Sequence, residues 1–186
     1  MVSPRSQSRR YAALALYQWR LTGEDPMTIK RHLLDDPEWL DAIASSLSGL
    51  DDEAPPDPKR RFKYNLELLD QLLTGVPAHL AEIDAQLERV LDRPIGQVDP
   101  VELAILRLGA FEILYSDSIP DRVAINEAVE LAKLLGAHEG HKYVNGVLDK
   151  IARTRAAEAL SNRESDPTVR SGGGSGGDAA HSGEGL

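Results

Sequence analysis

The stretch Asp99-Pro100-Val101-Glu102 opens a run, Leu103 to Tyr115, that is apolar on nearly every side. An acid at the cap, proline at the first helical position and a glutamate three residues after the cap form a capping-box-like helix start. A helix without a polar stripe has to be enclosed by other elements, so this segment predicts the central, buried helix of a bundle. No alternating β-rich run bounded by turns occurs anywhere in the chain, which makes the predicted fold class all-α.

The enclosing helices can be read from caps and periodicity. The first is predicted from Pro4 to Thr22, ended by Gly23, with Ala12, Leu16 and Trp19 on one face and Leu14, Tyr17 and Leu21 on another. A second is predicted from Pro26 to Leu34 and a short one around Trp39 to Leu47, followed by an exposed Gly/Pro/Asp connection, Ser48 to Pro58. Phe62, Leu66, Leu69 and Leu73 mark the next helix, with Gly75 expected to end it and Pro77 to begin a helix carrying Leu80, Ile83, Leu87 and Val90. After the central helix, two more are predicted, Arg122 to Leu135, stopped by Gly136, and Glu139 to Leu160. About seven helices in two packed subdomains, residues 1–76 and 77–160, are expected to share one core, with 161–186 a disordered Gly/Ser-rich tail.

Charge is unevenly spread. The net charge of −9 argues against nucleic acid, yet Met1 to Arg20 holds Arg5, Arg9, Arg10 and Arg20 and no acid, whereas Asp35 to Asp57 holds eight acids and no base. Flexible arginines at a chain terminus can follow phosphates and stack on unpaired bases. A frayed, solvated terminus explains them equally well. Lys142-Tyr143 adds an aromatic ring to a cation, the pairing that holds single-stranded RNA, although tyrosine on an amphipathic helix is more often a core-edge residue. The denser run Lys59-Arg60-Arg61-Phe62-Lys63 sits beside the acidic stretch and reads as internal charge compensation.

Catalytic chemistry finds little purchase. His138-Glu139-Gly140-His141 spaces its histidines at i, i+3, not the i, i+4 that two imidazoles need to reach one metal from one helix face. The GGGSGG tail lacks the lysine and the preceding strand of a phosphate loop, and the absence of cysteine excludes disulfide and thiolate chemistry. No metal, cofactor or catalytic residue is expected. No apolar run reaches the ~18 residues of a membrane span and no secretory signal opens the chain, so a soluble, cytoplasmic protein without a membrane partner is expected.

The pieces GQVDPVELAILRLGAFEILY, IPDRVAINEAVELAKLLG and HKYVNGVLDKIA, with RRYAALALYQW near the start, closely resemble the NusB family of transcription antitermination factors. The resemblance covers roughly Arg5 to Arg153 apart from a divergent middle. It implies a two-subdomain helical fold and a protein that catalyses nothing, but joins NusE, a ribosomal small-subunit protein, on the boxA element of nascent ribosomal RNA within the RNA polymerase antitermination complex. Carried over by position, Arg5, Arg9, Arg10, Lys142 and Tyr143 would contact RNA, and Glu139 would temper affinity by opposing phosphate. Tyr17 and Glu102 would meet NusE. The arginines and the Lys142-Tyr143 pair are expected to gather at one end of the body. Ser6, Gln7 and Ser8 thin the family's arginine motif. Two other readings stay open: a module like the N-terminal domain of ribosomal RNA cytosine methyltransferases, disfavoured because no cofactor-binding α/β domain follows here, and a structural homodimer, which the free antitermination factor could also form.

Overall fold

The structure is a computed structural model, and it describes residues 3–35, 63–135 and 139–165, the last three by backbone alone. The short helix expected around Trp39 to Leu47, the acidic connection, the basic run up to Phe62, Gly136 and the tail beyond Ser165 lie outside the described residues, whereas residues 161–165, expected to begin the disordered tail, continue the last helix. Among the described residues there are seven α-helices and no strand. They are α1 (Pro4–Thr22), α2 (Pro26–Asp35), α3 (Leu66–Ala78), α4 (Leu80–Glu88), α5 (Pro100–Tyr115), α6 (Asp121–Leu135) and α7 (Gly140–Ser165), with a 3-10 turn at Ile95–Gln97. The chain divides into two units, Met1–Arg153, which contains the core, and Thr154–Leu186. None of the described helices is long and apolar enough to cross a membrane.

Helix α1 is fixed at both ends by its sequence. The Ser3 hydroxyl accepts from the Ser6 N–H at 3.1 Å, Pro4 occupies the first turn, and Gly23, at φ 72°, donates its N–H to the Trp19 carbonyl at 2.9 Å. Between them six consecutive residues, Tyr11 to Leu16, are buried. Three are alanines, whose small size lets α2, α3, α5 and α6 all pack against this helix.

Helix α5 is the enclosed hub that its all-round apolarity requires, buried from Leu103 to Ile113. The Asp99 carboxylate accepts from the N–H groups of Val101 at 2.8 Å and Glu102 at 3.2 Å, satisfying two otherwise orphaned donors. Two charged residues share this interior. Arg107 forms a two-pronged pair with Asp84 of α4 at 2.8 Å on each prong, and Glu112 receives Arg9 of α1.

Gly75 does not end its helix. Helix α3 continues through Gly75 and Pro77 to Ala78, and the break falls at His79. A Cβ on Gly75 would stand 2.2 Å from Cζ of Phe111, so the glycine serves the approach of α3 to α5. The preceding start also shifts: Asn65 caps α3 by accepting from the Leu68 N–H at 2.8 Å.

Candidate nucleic-acid interface

The residues singled out by sequence fall into two groups. Arg5 and Arg9 lie by a shallow hollow of about 260 Å³ formed between the start of α1 and the start of α6, with Ser118, Ile119 and Glu127 on its walls. Arg5 is exposed and Arg10 half-buried. Arg9 departs from the expected RNA contact: it is 2% exposed and committed to the interior. Its Nε lies 2.9 Å from each oxygen of Glu112, itself fully buried, and its Nη1 lies 3.6 Å from Glu127. A guanidinium neutralised by two carboxylates and shut off from solvent has nothing left to offer a phosphate. Its job is to compensate Glu112, whose carboxyl burial pushes upward while the hydrogen bonds from Arg9 draw it down. Ser6, which thins the arginine motif, donates from its hydroxyl to Glu127 at 3.0 Å, so it too belongs to this joint.

The second group surrounds the start of α7. The Tyr143 hydroxyl donates to Asp92 at 3.3 Å, and the Arg93 guanidinium carbon lies 4.9 Å from the centre of the Tyr143 ring. Arg93 also grips Asp92 at 2.8 and 3.2 Å, which holds the Asp92 carboxyl below its usual range. Burial, then Asp92, raises the Tyr143 phenol, so the ring is neutral at physiological pH. Lys142 is exposed and pairs with Glu139. Glu139 has φ 74°, the left-handed region that glycine and asparagine favour, which turns the chain sharply into α7. Lys150, two turns further along the helix, reaches the Val90 carbonyl at 3.4 Å. Arg93 and Asp92 went unnoticed in the sequence because their relation to Tyr143 spans as many as 51 residues and has no local signature, whereas Lys150 follows Tyr143 by two turns of one helix, a spacing that could have found it.

The two proposed partner residues also separate. Glu102 lies against Gly140, where a Cβ would strike its carboxylate, and it feels the charge of Arg93. It therefore stands within the Tyr143 group. Tyr17 is half-buried on α1 and packs on the core.

Nor do the cations meet at one end. Arg9 is bonded to Glu112 near the end of α5, whereas Glu102 beside Tyr143 lies near its beginning. Ten residues of helix rise place the two groups about 15 Å apart along α5. That is too far for one pocket. It is within reach of a strand of several nucleotides, given that single-stranded sites run to about 4–16.

Comparison with known proteins fits this architecture. The NusB family model matches residues 6–153. Curated relatives include the transcription antitermination protein NusB of Alkalilimnicola ehrlichii, 46% identical over 86% of this chain and 89% of its own, and that of Nitrosococcus oceani, 44% identical over 87% and 94%. Among solved structures, one of antitermination factors NusB and NusE in complex with double-stranded RNA is similar at TM-score 0.63 and 27% identity, covering 83% of this chain and 99% of that one. T. maritima NusB is similar at TM-score 0.61 and 27% identity, covering 82% and 93%. With the family's sequence pattern and its all-helical fold both present from the start of α1 to Arg153, this chain belongs to the NusB family.

Proposed function

We propose that this chain is a transcription antitermination factor that binds boxA-type single-stranded RNA together with NusE during transcription of ribosomal RNA operons. It acts in the cytoplasm as an adaptor of the RNA polymerase antitermination complex and carries out no reaction of its own. Arg5 and Arg10 hold phosphates at the start of α1, and Lys142 and Tyr143 hold RNA at the start of α7. Glu139 limits affinity by occupying Lys142, and Tyr17 and Glu102 face NusE.

The observation that carries this reading is the assembly of Lys142, Arg93 and Lys150 around the half-exposed Tyr143 ring on a chain whose net charge is −9. Cations beside a ring serve unpaired nucleotides, whose phosphates need charge and whose bases need a stacking surface. The test is fluorescence anisotropy of a labelled boxA oligonucleotide titrated with the protein, with and without NusE. Binding is expected to tighten when NusE is present and to weaken as salt rises. Binding that ignores salt, or that is absent even with NusE, overturns the proposal.

A further inference from the structure

Four glycines of the described residues lie within α-helices, and three have an evident reason to be there. A Cβ on Gly75 would strike Phe111, on Gly109 would come within 2.6 Å of Leu148, and on Gly140 would strike the Glu102 carboxylate. Gly146 has no such neighbour: nothing stands within 4 Å of the place a Cβ would take. Its backbone is ordinary helix, with no positive φ. Glycine in a helix interior is disfavoured relative to alanine because it surrenders more freedom on folding. Neither backbone nor packing repays that cost at Gly146, so the vacancy above it is the feature to explain.

That vacancy opens into a cleft of about 190 Å³ between α7 and the connection after α4, walled by Val90, Asp92, Lys142, Tyr143 and Lys150. The volume is below the ~300 Å³ at which pockets for whole small ligands begin, so the cleft suits one flat group of a larger molecule. Its walls say which. Tyr143 supplies an aromatic surface whose orientation is held by Arg93 and Asp92, and Lys142 and Lys150, both exposed, stand on the same helix for flanking phosphates. The one acid on the wall, Asp92, is already neutralised by Arg93.

We propose that this cleft seats a single unpaired RNA base, with Gly146 as the floor that lets the base lie against the α7 backbone and Arg93 as the residue that positions the Tyr143 ring. The inference rests on the RNA-binding reading above and adds to it the place of one nucleotide.

The test is Gly146→Ala in the full-length chain, read by melting temperature and by anisotropy on the boxA oligonucleotide with NusE. A methyl group on the floor is expected to weaken binding about tenfold, the scale of one lost stacking contact. The melting temperature is expected to hold or rise, since alanine is the better helix former. Oligonucleotides carrying one abasic nucleotide, moved position by position, then locate the seat: at one position the parent should lose about tenfold and Gly146→Ala nothing more. Equal binding by parent and variant overturns the seat, as does a lowered melting temperature, which would give the glycine to the fold. If the parent itself fails to bind the oligonucleotide with NusE, the functional reading fails first and the seat falls with it.

Discussion

The two ends of α5 handle positive charge in opposite ways. At one, Arg9 is 2% exposed and locked to Glu112 at 2.9 Å; at the other, Lys142 is exposed and Arg93 lies across Tyr143 in contact with solvent. Burial, and not residue type, separates a cation that holds the fold from one that is available to a ligand. A buried charge is worth most to the protein through the partner it neutralises, because losing that partner leaves an uncompensated charge in a medium that solvates it poorly. An exposed charge contributes little to stability and much to attraction of an anion.

The sharpest way to break this contrast is Arg9→Ala. It strands Glu112 in the core and is expected to cost about 3–5 kcal/mol of stability in chemical denaturation. Replacing both partners, Arg9→Met with Glu112→Leu, is expected to restore most of it, since an apolar pair of similar volume needs no compensation. A stable Arg9→Ala variant would show the pair to be dispensable. The neighbouring Arg5→Ala is expected to behave in the opposite sense: the melting temperature unchanged, RNA affinity lowered, and the dependence of log affinity on log salt shallower by about 0.7, the value for one phosphate contact on a single strand. An unaltered salt slope would remove Arg5 from the RNA path.

The smallest effect concerns Glu102, at the opposite end of α5. Burial first and Asp99 second raise its carboxyl above the usual range. The folded protein therefore holds that proton more tightly than the unfolded chain does. The corresponding stability is fully present below the unfolded carboxylate range and is lost as pH rises through the folded value. Glu102→Gln avoids that loss and is expected to be the more stable protein at neutral pH, by less than about 1 kcal/mol because the site is only partly buried and a carboxylate near a helix start is favoured by the dipole. Below about pH 4 the two should coincide. An advantage that persists in acid would assign the effect to packing.

Much of the fold was legible because its signals are local. Pro4 and Gly23 bound α1, Asp99 caps α5, and the apolar girth of α5 identifies the buried hub, each read from neighbours along the chain. What escaped the sequence was tertiary. Gly75 reads as a helix stop until Phe111, from another helix, is seen to need its space. Arg9 reads like Arg5 until Glu112, 103 residues away, is found beside it. The proposed RNA-binding residues divided on the same line: type and position could nominate Arg5, Lys142 and Tyr143, but only coordinates could withdraw Arg9 and add Arg93.

The joint at the start of α1 bears on how the basic arm can be studied. Ser8 accepts from the Asn65 N–H at 2.7 Å, Ser6 bonds Glu127 and Arg9 fills the space over Glu112, so three side chains within about one turn tie the start of α1 to the cap of α3, to α6 and to α5. Clipping the arm off would unseat the bundle together with any RNA contact, and a deletion would report a folding defect as a binding one. The arm is an integral beam with a few outward-facing charges. Those charges can be interrogated only one side chain at a time.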